Sequence, residues 1–323
     1  MPALARAVRV ADPHPSSETF ATDVLAGLTT ERKSLPAKYF YDEAGSRLFD
    51  RITQLPEYYP TRTELGILNQ HAAEIAALLP ERGALVEFGS GSKTKAAILL
   101  DAAPHVAAYL PVDISSEVLQ EEAAALRQEF PKISVIPVEA DFCQAFDVPP
   151  EVAALPRAGF FPGSTIGNFE PHEACTFLRN AGRTLGPDAI FIVGVDLVKD
   201  RAILNAAYND AAGVTAKFNL NVLARINGEL GANFNLKCFE HHAFFNRERS
   251  RIEMHLASIK RQKVRIRGET IDFRPGETIH TENSYKYTLK SFAALARGSG
   301  WAVHAVWTDA EKYFAVYALK SRQ

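Results

Sequence analysis

A glycine-rich turn that follows a β-favouring run is the part of this sequence with the clearest chemical potential. Residues 84–88 predict a strand, contain Glu87, and are followed by Gly89-Ser90-Gly91 and then by helix-forming residues. Glycines let a backbone turn tightly and come close to a ligand. In an open α/β sheet, such a loop lies at the carboxyl end of the strand, where nucleotide-like ligands bind.

The acidic residue ahead of the glycines narrows the class of ligand. The pattern is Glu-x-Gly-x-Gly, and the chain has no Gly-x-x-x-x-Gly-Lys-Ser/Thr phosphate loop. A carboxylate suits a cationic or hydroxyl-rich ligand better than a pyrophosphate, and S-adenosylmethionine has a sulfonium, an α-ammonium and a ribose. This stretch alone leaves two interpretations open, a site for such a cofactor and a tight structural turn.

Acidic residues also follow the next two predicted strands. Asp113 comes after a strand at about 107–112, and Asp141-Phe142 after one at about 133–138. An acidic residue after the second strand accepts hydrogen bonds from ribose hydroxyls, and we expect Asp141 and Phe142 to hold adenine. The alternatives are a helix cap at Asp113 and a turn at Asp141. Because the acidic positions fall at successive strand ends, we predict a nucleoside cofactor.

The alternation of strands and helices predicts a parallel, doubly wound α/β sheet. The expected strands lie at about 84–88, 107–112, 133–138, 158–162 and 189–195, with helices that include 115–128 and 171–184. The alternation stops after Asp196 and returns with a helix at 288–297 and two closing strands.

The intervening residues, 199–285, are therefore predicted to be an insertion into the sheet domain. Residues 199–248 have helical patterns, whereas 251–258 and 263–267 alternate and predict a hairpin.

Composition excludes several functional classes. The chain has 323 residues and a formal net charge of −2, which does not favour binding to nucleic acid or to a membrane surface. No apolar run approaches the roughly 18 residues that span a bilayer. Cys143, Cys175 and Cys238 show neither a disulfide framework nor a zinc spacing. We expect a cytoplasmic protein with neither kind of partner.

Other chemistry has weaker support. Glu240-His241-His242 lacks a second ligand pair at metal spacing, so we favour a surface turn over a metal site there. No Gly-x-Ser-x-Gly nucleophile elbow is present, because Ser164 directly follows Gly163 in Gly163-Ser-Thr-Ile-Gly167 and does not occupy the central position. The sequence therefore predicts neither a metal enzyme nor a serine hydrolase.

Longer motifs extend over most of the chain, from about residue 20 to the C-terminus. They are Lys33-Ser-Leu-Pro36, Phe40-Tyr-Asp42, residues 55–64 (LPEYYPTRTE), Glu87-Phe-Gly-Ser-Gly91, Gly163-Ser-Thr-Ile-Gly-Asn168, Asp196-Leu-Val-Lys-Asp200, Ala211-Ala-Gly-Val-Thr-Ala216 and Arg251-Ile-Glu-Met254. In these motifs the chain resembles the histidine-specific, S-adenosylmethionine-dependent Nα-methyltransferases of ergothioneine biosynthesis.

The resemblance implies a class I (Rossmann-like) methyltransferase domain, residues 62–198 plus 286–323, and a second, α+β substrate-binding domain, residues 1–61 plus 199–285. It implies an enzyme that transfers three methyl groups to the α-amine of L-histidine. We expect a monomer. The alternative is an N-methyltransferase of the same fold that acts on another small amine or aromatic amino acid. A non-catalytic nucleoside-binding module is a more distant alternative.

The resemblance also assigns roles to individual residues. With the loop itself, the expected cofactor residues are Glu87, Gly89, Ser90, Gly91, Lys95, Asp113, Asp141 and Phe142. The expected substrate residues are Phe49, Tyr58, Asn168, Tyr208, Met254, Glu282 and Ser284, of which Glu282 and Ser284 read the imidazole. Tyr41 and Asn168 are expected to act on the amine during catalysis. Asn283 and Tyr285 depart from the family pattern, in which we expect a small or apolar residue and a cysteine, and the larger Tyr285 leaves the fine shape of the pocket open.

Overall fold

The computed structural model describes residues 17–90, 93–114 and 116–322. The chain divides into two compact units. The first unit contains Thr63–Leu197 and Tyr287–Gln323, and the second contains Pro15–Arg62 and Val198–Lys286. Among the described residues, no helix has an apolar stretch long enough to cross a membrane.

The secondary structure follows the chain in this order. The α-helices are α1 (Ser17–Leu28), α2 (Glu43–Thr53), α3 (Tyr59–Ala76), α4 (Lys93–Ala102), α5 (Ser116–Glu129), α6 (Pro171–Leu185), α7 (Arg201–Tyr208), α8 (Val214–Leu230) and α9 (Leu289–Gly298). The strands are β1 (Ala84–Phe88), β2 (Ala108–Asp113), β3 (Ser134–Val135), β4 (Val138–Glu139), β5 (Arg157–Phe161), β6 (Ile190–Asp196), β7 (Phe239–Asn246), β8 (Arg251–Ser258), β9 (Gln262–Ile266), β10 (Glu269–Phe273), β11 (Thr278–Tyr285), β12 (Trp301–Thr308) and β13 (Phe314–Ser321). Short 3₁₀ helices lie at Ala37–Phe40, Pro150–Val152, Thr165–Asn168 and Leu236–Cys238.

The first unit is built on one sheet with the strand order β12-β13-β6-β5-β1-β2-β3. The strands from β6 to β3 are parallel, whereas β13 runs antiparallel to both of its neighbours. Every residue of β1 is buried, as expected for a parallel strand covered on both faces. The predicted doubly wound sheet is confirmed.

The third predicted strand, at about 133–138, is wrong as one continuous element. It is divided into β3 and β4, which both pair with β2. Pro137 lies between them and has no N–H to donate to the ladder, which explains the interruption. The short strands still bring the end of β4 beside the end of β2.

Helix α3 is fixed to the sheet by its apolar face. Its residues Ile67, Leu68 and Ile75 belong to one buried cluster with Leu85 of β1 and Phe160 of β5. Burying such side chains contributes about 1.5–3 kcal/mol each. This packing fixes the part of α3 that lies after Arg62 within the first unit.

The second unit contains an antiparallel sheet in the order β11-β8-β7. The prediction of helices throughout 199–248 is wrong at its end, because β7 is a strand that pairs along β8. The predicted hairpin of 251–258 with 263–267 is also wrong, since β9 pairs with β10 instead. Arg267 and Gly268 both have positive φ, the conformation that a tight two-residue hairpin turn requires.

Helix α2 was not predicted, because it is short and lies between two segments that are rich in aromatic residues and prolines and have little regular periodicity. Asp42 caps it by accepting a hydrogen bond from the Gly45 N–H at 2.7 Å. A Cβ at Gly45 would lie 1.7 Å from the Phe40 carbonyl oxygen, so only glycine fits this turn. The cap fixes the direction in which α2 presents Phe49.

Candidate active site

The glycine turn after β1 is closed by hydrogen bonds to the neighbouring strand. The N–H groups of Gly89 and Ser90 both donate to the Val112 carbonyl, at 2.9 and 3.1 Å. Gly89 has φ +73°, and a Cβ there would lie 3.2 Å from the ring of Phe142. Glycine therefore allows the Phe142 ring to lie directly against the loop. Gly91 lies outside the described residues.

Glu87 is directed into the protein and not towards solvent. It is 1% exposed and accepts a hydrogen bond from the Tyr109 hydroxyl. Burial raises the pKa of Glu87 to about 8, and the bond from Tyr109 opposes that rise. Its carboxyl is therefore largely neutral at pH 7. Ser90, also buried, donates to Glu122 at 2.9 Å. Direct binding of the cofactor by Glu87 or Ser90 stays a prediction.

Asp113 and Asp141-Phe142 lie after neighbouring strands, as expected. Asp113 ends β2, where it is half-buried and in register with Glu139. Asp141 is exposed and accepts a hydrogen bond from the Cys143 N–H at 2.9 Å, which is a turn contact. The structure thus brings Phe142 and Gly89 together. It also places Asp113 directly after Val112, whose carbonyl accepts the hydrogen bonds from the glycine loop.

Lys95 pairs with a buried carboxylate that sequence reasoning missed. Its ammonium lies 2.6 Å from a carboxylate oxygen of Glu64, and both oxygens of Glu64 accept the Gly163 N–H at 2.9 Å. A Cβ at Gly194 would lie 2.1 Å from Glu64, so the carboxylate occupies a space that glycine leaves open. In the sequence, Glu64 is the last residue of the 55–64 motif, and we had assigned no chemical role to it. A contact of Lys95 with the cofactor stays a prediction.

The segment after β5 has a strained turn that precedes Asn168. Ser164 has φ 56° and ψ 26°, the left-handed region that costs energy for a residue other than glycine. Its hydroxyl accepts the Asp196 N–H at 2.8 Å, which holds this conformation. The following 3₁₀ turn, Thr165–Asn168, ends with Asn168 half-buried.

The second unit gathers aromatic rings that are far apart in sequence. Tyr41 meets Phe49 edge-on at 5.7 Å between centroids, Phe49 meets Tyr58 at 6.3 Å, and Tyr58 meets Tyr208 at 6.3 Å. Phe218 was not predicted, but lies 5.7 Å from Tyr41 and 6.0 Å from Phe49. Edge-to-face pairs of this kind are favourable. The structure therefore brings the four predicted aromatic residues into one cluster, in which Tyr41 remains 41% exposed.

The end of β11 places the predicted imidazole-reading residues on one face. Glu282 lies opposite Met254 of β8, and Ser284 follows two residues later, where a strand returns to the same face. The Tyr208 hydroxyl donates to the Ser284 hydroxyl at 2.8 Å, which links this strand to the aromatic cluster. Burial raises the pKa of Glu282 to about 7, against the opposing effect of Lys286.

Asn283 and Tyr285 lie on the other face of β11, because strand residues alternate. The Tyr285 hydroxyl accepts a hydrogen bond from the Arg251 guanidinium at 2.7 Å. The larger side chain of Tyr285 is used in a contact with Arg251 on the face opposite Glu282.

His241 has a structural role, and the prediction of a surface turn there is wrong. Its ring donates to the Tyr208 carbonyl at 2.8 Å and lies 2.9 Å from the Asn219 amide nitrogen. Thr281 donates to the Asn219 oxygen at 2.7 Å, inside the β-bulge that precedes Glu282. This buried network, which sequence reasoning missed, fixes both Tyr208 and the bulge. Only the polar character of Asn219 in an otherwise apolar helix face could have indicated it.

Glu253, His255 and His280 have possible metal-binding atoms within 4.8 Å of one another. Glu253 already accepts a hydrogen bond from the Arg251 guanidinium at 2.8 Å, so a cation would meet a positive charge there. Burial lowers the pKa of His255 to about 4 and keeps that ring neutral at pH 7. We assign these residues to a hydrogen-bonded network that stabilises the pairing of β8 with β11.

The first unit has the strand order and the single antiparallel strand of a class I methyltransferase. Its strand ends fit S-adenosylmethionine: Gly89 leaves space that a side chain would fill, Phe142 offers a ring beside it, and Asp113 offers an acceptor. The chain belongs to the family of histidine-specific, S-adenosylmethionine-dependent methyltransferases, whose model matches residues 20–321. Its cofactor is S-adenosylmethionine.

Curated relatives agree with this assignment. The chain is 44% identical to the histidine N-alpha-methyltransferase of Mycolicibacterium smegmatis, over 91% of this chain and 92% of the relative. It is 42% identical to the protein of the same name from Mycobacterium tuberculosis, over 89% and 90%. It is also 30% identical to ergothioneine biosynthesis protein 1 of Neurospora crassa, over 90% of this chain but 33% of that longer protein.

Replacing Asp113 by alanine should weaken S-adenosylmethionine binding by about 1–3 kcal/mol, because a charged acceptor for the ribose hydroxyls is lost. Titration calorimetry measures this directly. Asp101→Ala, on the exposed side of α4, is the control and should leave the affinity unchanged. Unaltered affinity in Asp113→Ala would reduce Asp113 to a turn residue.

Proposed function

We propose that this enzyme transfers three methyl groups, one at a time, from S-adenosylmethionine to the α-amine of L-histidine. The product is trimethylhistidine (hercynine), and the reaction is the first step of ergothioneine biosynthesis. The names of the mycobacterial and fungal relatives support this proposal. The observation that carries it is the pair of polar side chains, Glu282 and Ser284, on one face of β11.

These two side chains match the two ring nitrogens of histidine. A neutral imidazole has one N–H donor and one acceptor nitrogen. Glu282 as a carboxylate can only accept, so it pairs with the N–H, and the Ser284 hydroxyl serves the other nitrogen. Met254, directly across from Glu282, provides an apolar side chain beside them. We assign Phe49, Tyr58, Asn168 and Tyr208 to the rest of the substrate.

The cofactor supplies an electrophilic methyl group that already carries its leaving group. The protein must therefore align the amine, exclude water and let each proton leave. We assign the alignment of the amine to the Tyr41 hydroxyl and to the Asn168 amide oxygen, which can accept from an N–H. Each methylation removes a donor from the amine, so contacts to the carboxylate and to the imidazole must anchor every round.

The aromatic cluster has a second use in this proposal. Tyr41, Phe49 and Tyr58 present rings that can stabilise a quaternary ammonium by cation–π interaction. The positive charge becomes permanent after the third transfer, when no N–H remains. The rings therefore favour completion of the reaction without depending on hydrogen bonds.

A mass-spectrometric panel of amino acids with S-adenosylmethionine tests the proposed function. Histidine should gain three methyl groups, whereas phenylalanine, tryptophan and small amines should gain none. Products from another amine, and none from histidine, would favour the alternative N-methyltransferase activity. Titration calorimetry tests whether the protein binds both S-adenosylhomocysteine and histidine. Binding of histidine would exclude a module that binds only nucleosides.

Tyr41→Phe and Asn168→Ala should each lower turnover at saturating cofactor by about tenfold or more, because the amine loses a group that orients it. The affinity for S-adenosylhomocysteine should not change. Steady-state kinetics and calorimetry measure the two quantities, with exposed Asn69→Ala as the control. Wild-type turnover in both variants would mean that the amine binds elsewhere.

We also propose that the protein is a cytoplasmic monomer without a nucleic-acid partner. Its net charge of −2 and its three free cysteines support this assignment. Light scattering after size exclusion tests the monomer, and fractionation of the native cells tests the compartment.

A further inference from the structure

Lys286 is a buried cation directly after β11 that has no role in the reading of the imidazole described above. Lys286 is only 3% exposed. Its backbone N–H donates to the Ser250 carbonyl at 2.8 Å, and its own carbonyl accepts from the Ser250 hydroxyl at 2.9 Å. Lysine is almost never buried without polar partners. The fold therefore fixes the position of this ammonium group.

The ammonium forms a triangle with two hydroxyl groups. It donates to Ser284 at 2.8 Å and to Tyr208 at 3.1 Å, and Tyr208 in turn donates to Ser284 at 2.8 Å. An ammonium can only donate, so both hydroxyls must accept from it. The Ser284 oxygen accepts from both neighbours, which uses its two lone pairs. Only its hydrogen is left to offer to a ligand.

Glu282 is the complementary group on the same face. Burial raises the pKa of its carboxyl, and the charge of Lys286 opposes that rise. Its cross-strand neighbour Met254 carries no charge. The nearby titratable groups are Tyr208, which is part of the triangle, and Glu253, His255 and His280, which strand alternation places on the opposite face. β11 thus presents an acceptor at Glu282 and a donor at Ser284.

We infer that Lys286 is a specificity-determining positioning residue that makes the site select one tautomer of the neutral imidazole. It commits Ser284 to donate and keeps Glu282 an acceptor, so the ring N–H faces Glu282 and the bare nitrogen faces Ser284. This inference rests on the proposed histidine specificity. An imidazolium would direct an N–H against the Ser284 hydrogen, and a ring without an acceptor nitrogen would leave that hydrogen unpaired.

The first test uses the wild-type protein with S-adenosylhomocysteine and ring-¹⁵N-labelled histidine. At pH 7.5 the Glu282 carboxyl, with its pKa of about 7, is mainly ionised, and about a tenth of the free rings are charged, since the usual imidazole pKa is about 6.5. The bound ring should show one protonated and one bare nitrogen. Two protonated nitrogens in the bound ring would overturn the inference.

The second test compares Lys286→Met with Lys286→Arg. Lys286→Met should raise KM for histidine by about tenfold or more, with kcat and the KM for S-adenosylmethionine nearly unchanged. The acid limb of kcat/KM should move to higher pH, because loss of the cation raises the pKa of Glu282. Lys286→Arg keeps the charge and should retain the wild-type limb. If Lys286 only stabilised the fold, its replacement would not shift the acid limb of the kcat/KM profile.

The outcomes separate the inference from the function on which it rests. A wild-type enzyme that leaves histidine unmethylated refutes the proposed function. An enzyme that methylates histidine, but whose Lys286→Met variant keeps the wild-type KM and acid limb, refutes only the role of Lys286. If Lys286→Met does not fold, the spectrum of labelled histidine bound to the wild type decides, because two protonated ring nitrogens would overturn the inference.

Discussion

Glu282→Ala should raise KM for histidine by about 10–100-fold and sharply narrow the preference for histidine over phenylalanine. The reason is that a hydrogen bond to a charged group contributes about 1.5–3 kcal/mol. A site with a buried polar group also rejects ligands that leave this group unpaired. With Glu282 removed, an apolar ring meets the uncharged side chain of Met254 across the strand pair. Both histidine binding and the rejection of apolar rings therefore weaken.

Competition kinetics with histidine, phenylalanine and tryptophan measure this effect. Glu282→Gln keeps the shape and one acceptor, so it should lie between the wild type and Glu282→Ala. Glu269→Ala, exposed on β10, is the control for loss of a glutamate and should have no effect on selectivity. Affinity for S-adenosylhomocysteine should be preserved throughout. An undiminished preference for histidine in Glu282→Ala would assign the specificity to other residues.

Glu64→Ala should lower the free energy of unfolding by about 3–5 kcal/mol, the usual cost of leaving one member of a buried ion pair alone. The substitution would leave the Lys95 ammonium and the Gly163 N–H without their acceptor. It would also open a cavity against Gly194. Urea unfolding measures the loss, and Glu81→Ala, exposed before β1, is the matched control.

A double-mutant cycle identifies the cause of that loss. Glu64→Ala with Lys95→Met removes the buried charge as well as its partner, so it should be more stable than Glu64→Ala alone. Equal stability of the single and double variants would show that the Gly163 hydrogen bond dominates. A loss below about 1 kcal/mol in Glu64→Ala would contradict the importance of the pair.

The features that sequence predicted well are local ones. The glycine turn, Asp113 and Asp141 each follow a strand that apolar runs reveal, and parallel strands place their carboxyl ends at one edge. The resemblance to a family then named residues such as Tyr208 and Glu282, which no local pattern would have selected. Local pattern therefore predicted the sheet, and the family motifs supplied the residues of the candidate site, whose roles stay predictions.

The features that sequence missed depend on partners far along the chain. Glu64 carries no signal of its pairing with Lys95, because the two lie on different helices. Phe218 looks like an ordinary apolar position of α8 until the fold brings it to Tyr41. The strand at β7 was mistaken for helix because its residues pack on α8 and pair along β8, which its own sequence does not reveal.

The second unit is held together by hydrogen bonds between chain segments that are far apart in the sequence. The Leu35 N–H donates to the His280 carbonyl at 2.9 Å, the His280 N–H donates to the Lys33 carbonyl at 2.9 Å, and Lys33 pairs with Glu277, 244 residues away. During translation Lys33 must therefore wait until Glu277, 244 residues later, has been made. Contacts of such long range slow folding, so this unit should become protease-resistant only after β11 has left the ribosome.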